Sequence, residues 1–151
     1  MNTKKHHIQI TAILFLVGLI PSVSQAELGS NIASVMAEQK GFNSQLTTSN
    51  QNGATVYTLT LPSGTVIQEY ASANGVIFAL SWSGPELPNL QAILGYHFKD
   101  YLTGIKQSRG AFSINTESIA IQSAGMMGAF QGFALLPKQA PVGFTIQNLA
   151  Q

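Results

Sequence analysis

An α+β fold follows from three observations on the sequence: an antiparallel sheet of about five strands, one main helix on one of its faces, and a short N-terminal helix. The first observation is a run of three apolar-alternating segments, TVYTLTL, TVIQEYA and VIFALSW, within residues 55–82. They are separated by the compact turn signals Pro62-Ser63-Gly64 and Asn74-Gly75. The second is the recurrence of Leu90, Ile93, Leu94, His97, Tyr101 and Ile105 at the three-and-four spacing of one helical face. The third is a later β region, with strands expected at 118–122 and 126–135 around a turn at Ala124-Gly125.

The three segments predict a meander whose register can be counted from its turns. A three-residue loop at Pro62-Ser63-Gly64 sets Leu61 opposite Thr65, Leu59 opposite Ile67 and Tyr57 opposite Glu69. A two-residue type I′ turn at Asn74-Gly75 sets Ala73 opposite Val76, Ala71 opposite Phe78, Glu69 opposite Leu80 and Ile67 opposite Trp82. Opposed residues share a face. Both turns therefore nominate one apolar face: Tyr57, Leu59, Leu61, Ile67, Ala71, Val76, Phe78, Leu80 and Trp82. The other face is mixed, with Thr58, Thr60, Gln68, Ser72 and Ser81 among Val56, Val66, Tyr70, Ile77 and Ala79.

The remaining elements follow in chain order. Residues 30–40 predict a short helix, with Ser30 or Asn31 accepting from the first free amides and Gly41 in the left-handed position past its end. Ile32, Val35 and Met36 share the face that would pack on a sheet. The polar stretch 42–53 predicts an edge strand around Ser44-Gln45-Leu46 and then a loop. Ser83-Gly84-Pro85 and Pro88 end the meander and introduce the main helix, about 89–103, which Gly104 would stop. Gly128 and Gly132 suggest a bulge or a close backbone approach in the last strand. Pro137 and Pro141 mark a tail, 137–151, outside the regular elements.

Composition narrows the function classes. Residues 1–26 read as an export signal. Lys4, Lys5, His6 and His7 precede an apolar run from Ile10 to Ile20, and Pro21 and Ser24-Gln25-Ala26 lead to a cut that leaves Glu27 first. The apolar run is too short for a comfortable membrane span, and none follows in 27–151, which is expected to be a single domain. The expected location is therefore periplasmic or extracellular. Beyond residue 26 the cations Lys40, Lys99, Lys106, Arg109 and Lys138 nearly balance Glu27, Glu38, Glu69, Glu86, Asp100 and Glu117. No basic patch results, so nucleic acid is not an expected partner. Cysteine is absent, which removes disulfides, thiol nucleophiles and thiolate metal sites.

Four segments carry a resemblance: Leu28-Gly29 with its following helix, LPSGTVIQEYASANGVIFALSWSGPELPNL, LGYHFKDY and MMGAFQGFALLP. The order PSGT, EY, G-x-x-F-A and W-x-GP between Pro62 and Pro85 is the most distinctive part. Together they are similar to an uncharacterised bacterial family catalogued as domain of unknown function 2844, covering nearly all of residues 27–151. The resemblance implies a short exported protein with a single domain. It carries over no catalytic or ligand-binding residue.

Glu69 is the misfit that the register exposes: a carboxylate on the apolar face, between Tyr57 and Leu80. It must find donors, hold its proton, or lie at the sheet margin. His97 is the one histidine of 27–151 and falls on the helix stripe, so the two could meet as an acid–base pair or as a structural contact. Trp82 is either a stacking platform for a ligand or a core residue whose indole donates to the Ser83-Gly84-Pro85 loop. Met126, Met127, Phe130 and Phe133 are either core or, on an edge strand, a place for strand addition by another protein.

No Gly-x-Ser-x-Gly elbow, multi-histidine zinc set or Asp-rich calcium loop is present, so neither a metal nor any other cofactor is expected. The leading expectation is a non-enzymatic envelope or secreted accessory module that contacts another envelope protein. The alternatives are a small-ligand domain with a pocket between helix and sheet, lined by Tyr57, Glu69, Trp82 and His97, and a hydrolase using Glu69 and His97.

Overall fold

The computed structural model describes residues 27–108 and 110–149. The expected export signal lies outside them. Seven antiparallel strands form one sheet in the order β1-β2-β3-β4-β7-β6-β5. They are β1 (Gln45–Gln51), β2 (Ala54–Thr60), β3 (Val66–Ala71), β4 (Ile77–Gly84), β5 (Phe112–Asn115), β6 (Ala120–Met126) and β7 (Ala129–Leu135). The α+β class stands and the strand number is corrected from about five to seven. β5, at one edge, was not expected, and β1, at the other, is the edge strand expected around Ser44-Gln45-Leu46 in longer form. β1 runs well past Leu46 because Asn52-Gly53, with φ 49° and 78°, closes a type I′ hairpin onto β2.

The meander pairs as counted at its centre: Leu59 opposite Ile67, Tyr57 opposite Glu69, Glu69 opposite Leu80 and Ile67 opposite Trp82. Its second turn differs. Ser72 N donates to Val76 O and Gly75 N to Ser72 O, so the loop is Ala73-Asn74-Gly75, three residues long, with Gly75 at φ 77°. Left alone, that change would slip β4 by one residue. A bulge between Tyr70 and Ala71 restores the count, because Ala71 pairs with Ile77 and Tyr70 with Ala79, leaving Phe78 as the extra residue. Ile77 thus replaces Phe78 and Val76 on the nominated face, and Phe78 joins the opposite one.

Each face carries its own core. Three helices cover the first face: α1 (Ile32–Gly41), α2 (Leu90–Leu94) and α3 (Phe98–Gln107). Leu28, Val35, Leu90, Ile93, Leu94 and Tyr101 pack there against Leu59, Ile67, Ile77, Leu80, Trp82 and Ile121. The second face is covered at one end by the tail. Phe144 sets its ring edge-on to Phe78 at 4.8 Å and to Tyr70 at 5.8 Å, and Leu149 completes a cluster with Val56, Ala79 and Leu135.

Several helical expectations change for local reasons. Asn31, not Ser30, caps α1 through a 2.9 Å bond from Ala33 N. Gly41 stays inside the helix and Asn43 takes the positive φ of 50° instead. Met36 points to solvent, and α1 buries Ser34, Val35 and Glu38. The expected continuous helix 89–103 is broken at Gly95 (φ 52°) into α2, a turn of 3₁₀ helix at Gly95–His97, and α3. The break makes room for the N-terminal segment, since Glu27 packs onto Gly95 and Leu28 N donates to Ile93 O. Gly104 does not stop the helix; it lies within α3 beneath the Phe112 ring.

The later hairpin turns at Met127-Gly128 rather than Ala124-Gly125, with Met126 paired to Ala129. Gly128 (φ 84°) therefore belongs to the turn. Gly132 lies opposite Trp82, and a Cβ added there would run into the indole ring. Gly132→Ala is therefore expected to lower unfolding free energy by about 1–3 kcal/mol, the usual cost of overpacking. Urea unfolding followed by Trp82 fluorescence checks it, and a variant as stable as the parent contradicts the packing described.

Candidate functional site

The helix-covered face holds the group that the register exposed. Glu69 is 2% exposed and sits in a cross-strand row running Tyr57, Glu69, Leu80, Ala134, Ile121 and Ile114. Its partner is Glu38 of α1, 6% exposed, three residues after Val35 on the buried stripe of that helix. The sequence signal for Glu38 was available: Val35 and Glu38 are three apart, but a helix face assembled from Ile32, Val35 and Met36 points elsewhere.

Two ionised carboxylates cannot donate to one another, and among the described residues Glu38 Oε1, Glu38 Oε2 and Glu69 Oε2 have no hydrogen-bond donor. A shared proton resolves this. Burial first, then the hydrogen bond to Glu69 and the negative charge of Glu69, push the Glu38 carboxyl up to about 11. Burial likewise raises Glu69, while the hydrogen bond from Glu38 opposes that rise. The arrangement is therefore an acid donating to its neighbour through neutral pH, in the manner of coupled carboxyl dyads. Glu69 is closed to solvent and already has a polar partner.

The other expected residues lie apart from this pair. His97 is half-buried in the turn before α3, and its Nδ1 lies 3.1 Å from Asp100 Oδ2. Tyr96 stands edge-on to the imidazole at 5.4 Å, with Lys99 Nζ 3.7 Å above the Tyr96 ring. No hydrogen bond or ion pair joins His97 to Glu69 among the described residues. Tyr57 is half-buried opposite Glu69 and packs on the first core. Trp82 is a core residue, edge-on to Tyr101 at 6.2 Å. Its Nε1 has no acceptor, so the expected bond to the Ser83-Gly84-Pro85 loop does not form; the ring is drawn over Gly132 on the side of β7. That loop is held instead by the buried Thr65, whose Oγ1 donates to Glu86 O at 2.7 Å and accepts from Glu86 N at 3.2 Å.

Met126 and Met127 are 74% and 96% exposed at the tip of the β6–β7 hairpin, and because β5 pairs with β6 only as far as Ser123, the Ala124–Met126 end of β6 has no outer partner strand among the described residues. The open concavity is elsewhere. A cavity of about 500 Å³ lies along β5, β6 and β7, bordered by Ser113, Gln122, Gln131 and Phe133. A second, of about 240 Å³, adjoins it through Gln131 and Phe133 and reaches Gln68, Ser81 and Leu149. Both open on the face opposite the three helices. The alternation of Thr58, Gln68 and Ser81 pointed to a polar second face; the contribution of β5 to β7 required knowing the strand order.

The carboxyl pair makes stability depend on pH with a definite sign. The unfolded glutamate releases its proton above its model value of 4.5, whereas folded Glu38 keeps it to about 11. The folded state binds the extra proton, so the stabilisation is complete below the unfolded value and is lost as pH rises toward the folded one. Unfolding free energy should fall as pH rises above about 5, with a limiting slope of about 1.4 kcal/mol per pH unit for one retained proton. Glu38→Gln, which supplies a permanent donor, should flatten that slope and be the more stable protein at alkaline pH. Denaturant titrations across the range check both, and a parent profile that is flat or rises contradicts the pairing.

No curated protein and no solved structure matches the chain. A family model does, over residues 24–149, and its description is "Protein of unknown function (DUF2844)". The PSGT, EY and W-x-GP segments that carried the resemblance fall on structural parts: the β2–β3 loop with the Thr65 latch, the Glu69 end of β3, and the Trp82 strand end. The chain belongs to the DUF2844 family.

Proposed function

We propose that this protein is a non-enzymatic accessory module of the envelope or the secreted space, acting through contact with another protein, and that the contact is made by adding a partner strand to β1. The observation that carries the reading is β1 itself. It is a seven-residue outer strand, QLTTSNQ, exposed along most of its length, with neither a charge nor a proline. Edge strands are usually guarded by lysine, proline, a bulge or a covering segment, because their free amides and carbonyls accept any extended chain. β1 has an unbroken register with β2 and no guarding residue.

Other features support the same reading. The basic and apolar pattern of residues 1–26 favours export, and the family match begins at residue 24, beside the expected cut. A hydrolase reading would need Glu69 to reach a substrate, and its carboxyl is sealed beneath α1 with Glu38. The proposed pocket between helices and sheet has its polar atoms, Glu38, Glu69 and Trp82 Nε1, packed among core side chains.

The two-residue turn at Asn52-Gly53 makes Gln51 and Ala54 a hydrogen-bonded pair, so the amides of Thr48 and Asn50 point away from β2. Thr48→Pro removes one outward amide while sparing the ladder and should cost no more than about 1 kcal/mol of stability. Crosslinked pull-down of the parent from its own cells should recover a protein that Thr48→Pro loses and Thr47→Ala keeps. Equal recovery by parent and Thr48→Pro, or no recovery by either, removes strand addition at β1.

A further inference from the structure

The second face of the sheet is divided in two. At one end the tail covers it with Phe144, Ile146 and Leu149. Beyond Leu149 none of the described residues covers it, and that part is a cross-strand belt rich in amides and hydroxyls. Register places Thr47, Thr58, Gln68, Ser81, Phe133, Gln122 and Ser113 in one continuous row across all seven strands. A neighbouring row runs Gln45, Thr60, Val66, Ser83, Gln131 and Ala124, so its polar groups are interrupted by one valine and end on an alanine. The two adjoining cavities, of about 500 and 240 Å³, form one trough over this belt and share Gln131 and Phe133 at its middle.

The chemistry of the trough is specific in four respects. No ionisable side chain is among its described lining residues, so it offers nothing to a phosphate, a sulfate or a metal ion. Its donors and acceptors are neutral primary amides and hydroxyls, which suit a ligand with many hydroxyl groups of mixed donor and acceptor character. Part of it is already oriented: Gln68 Oε1 accepts from Tyr70 Oη at 3.3 Å and from Ser81 Oγ at 3.4 Å, which leaves the Gln68 amide hydrogens free for a ligand. The half-buried Phe133 adds a flat apolar surface at the centre, against which a sugar ring can lay its C–H face.

From these observations we infer that the belt binds an uncharged oligosaccharide chain, laid across β3, β4, β7, β6 and β5 with Phe133 beneath one ring. An open trough favours a chain over a small enclosed ligand. A protein strand would instead seek the free backbone of an edge, and this surface lies on the sheet face. The site is independent of β1, which lies at the far edge of the sheet.

The test uses residues 27–151 and neutral hexasaccharides of glucose and of N-acetylglucosamine as probes, with binding followed by calorimetry and by amide chemical shifts. At least one hexasaccharide should bind, with shifts concentrated at Gln68, Ser81, Gln122, Gln131 and Phe133. Affinity should be unchanged between about 50 and about 500 mM salt, since no charge is involved. Phe133→Ala should weaken binding at least about tenfold, the equivalent of about 1.4 kcal/mol. Phe133 also borders the second core, so Gln131→Ala, at an exposed position, is the second variant and should weaken binding about fivefold with unchanged stability. The inference is overturned if neither hexasaccharide binds at millimolar concentration, if shifts fall outside the belt, or if Gln131→Ala binds as the parent does. Preferential binding of dextran sulfate or of a peptide at these residues would also overturn it.

Discussion

The bulge at Tyr70/Ala71 is the constraint on which both cores depend. A two-layer sheet needs only one apolar face, and a strictly alternating β4 would have supplied one. The sequence Ile77-Phe78-Ala79-Leu80 is apolar throughout, and the extra residue Phe78 lets Ile77 and Leu80 face the helices while Phe78 and Ala79 face the tail. The three-residue loop and the bulge are linked, since the loop displaces the register by one and the bulge returns it. Without the return, Glu69 would not stand opposite Leu80, nor Ile67 opposite Trp82.

Restoring the register also fixes where Glu69 must lie. The carboxyl is held mid-row on the apolar face, and its strand neighbours offer it Leu80 on one side and Tyr57 on the other. Covering it with an aliphatic helix would leave a buried acid with no partner, at a cost of several kcal/mol for the ionised form. Glu38 offers the smallest remedy available to a helix of this composition. One proton between two acids removes one charge and creates one strong hydrogen bond. The pair therefore ties α1 to the sheet in a manner that depends on proton concentration, which an aliphatic contact would not.

Much of this was legible in the sequence, and what was not has identifiable causes. The central register of the meander followed from alternation and turn chemistry because those signals are local. The dipeptide Asn74-Gly75 alone does not distinguish a two-residue type I′ turn from a three-residue type I turn with a bulge, and Ala73 is compatible with either. Asn52-Gly53 is the same signal and closes a real type I′ hairpin; polar β1 concealed it, since an edge strand with both faces wet has no apolar alternation to show. The helix break at Gly95 was foreshadowed by a glycine inside the stripe. The Glu69 misfit is visible in the sequence, and so is the three-residue spacing of Val35 and Glu38, but that the two acids meet is not, because pairing an N-terminal helix with the middle of a sheet is a fact of tertiary packing.

The division of the second face follows from the composition of the described tail residues. Among the described residues the tail brings Phe144, Ile146 and Leu149 over the Tyr70 and Phe78 end. What lies beyond must be soluble as it stands, and surfaces commonly meet that need with lysine and glutamate. Here the same need is met by glutamine, serine and threonine, aligned across strands so that neighbours repeat one chemistry. Charges placed there would have hydrated the face equally well. Their replacement by a neutral, aligned and partly pre-oriented set of hydrogen-bonding groups, with one aromatic ring at its centre, distinguishes a surface shaped to be occupied from one that is merely wet.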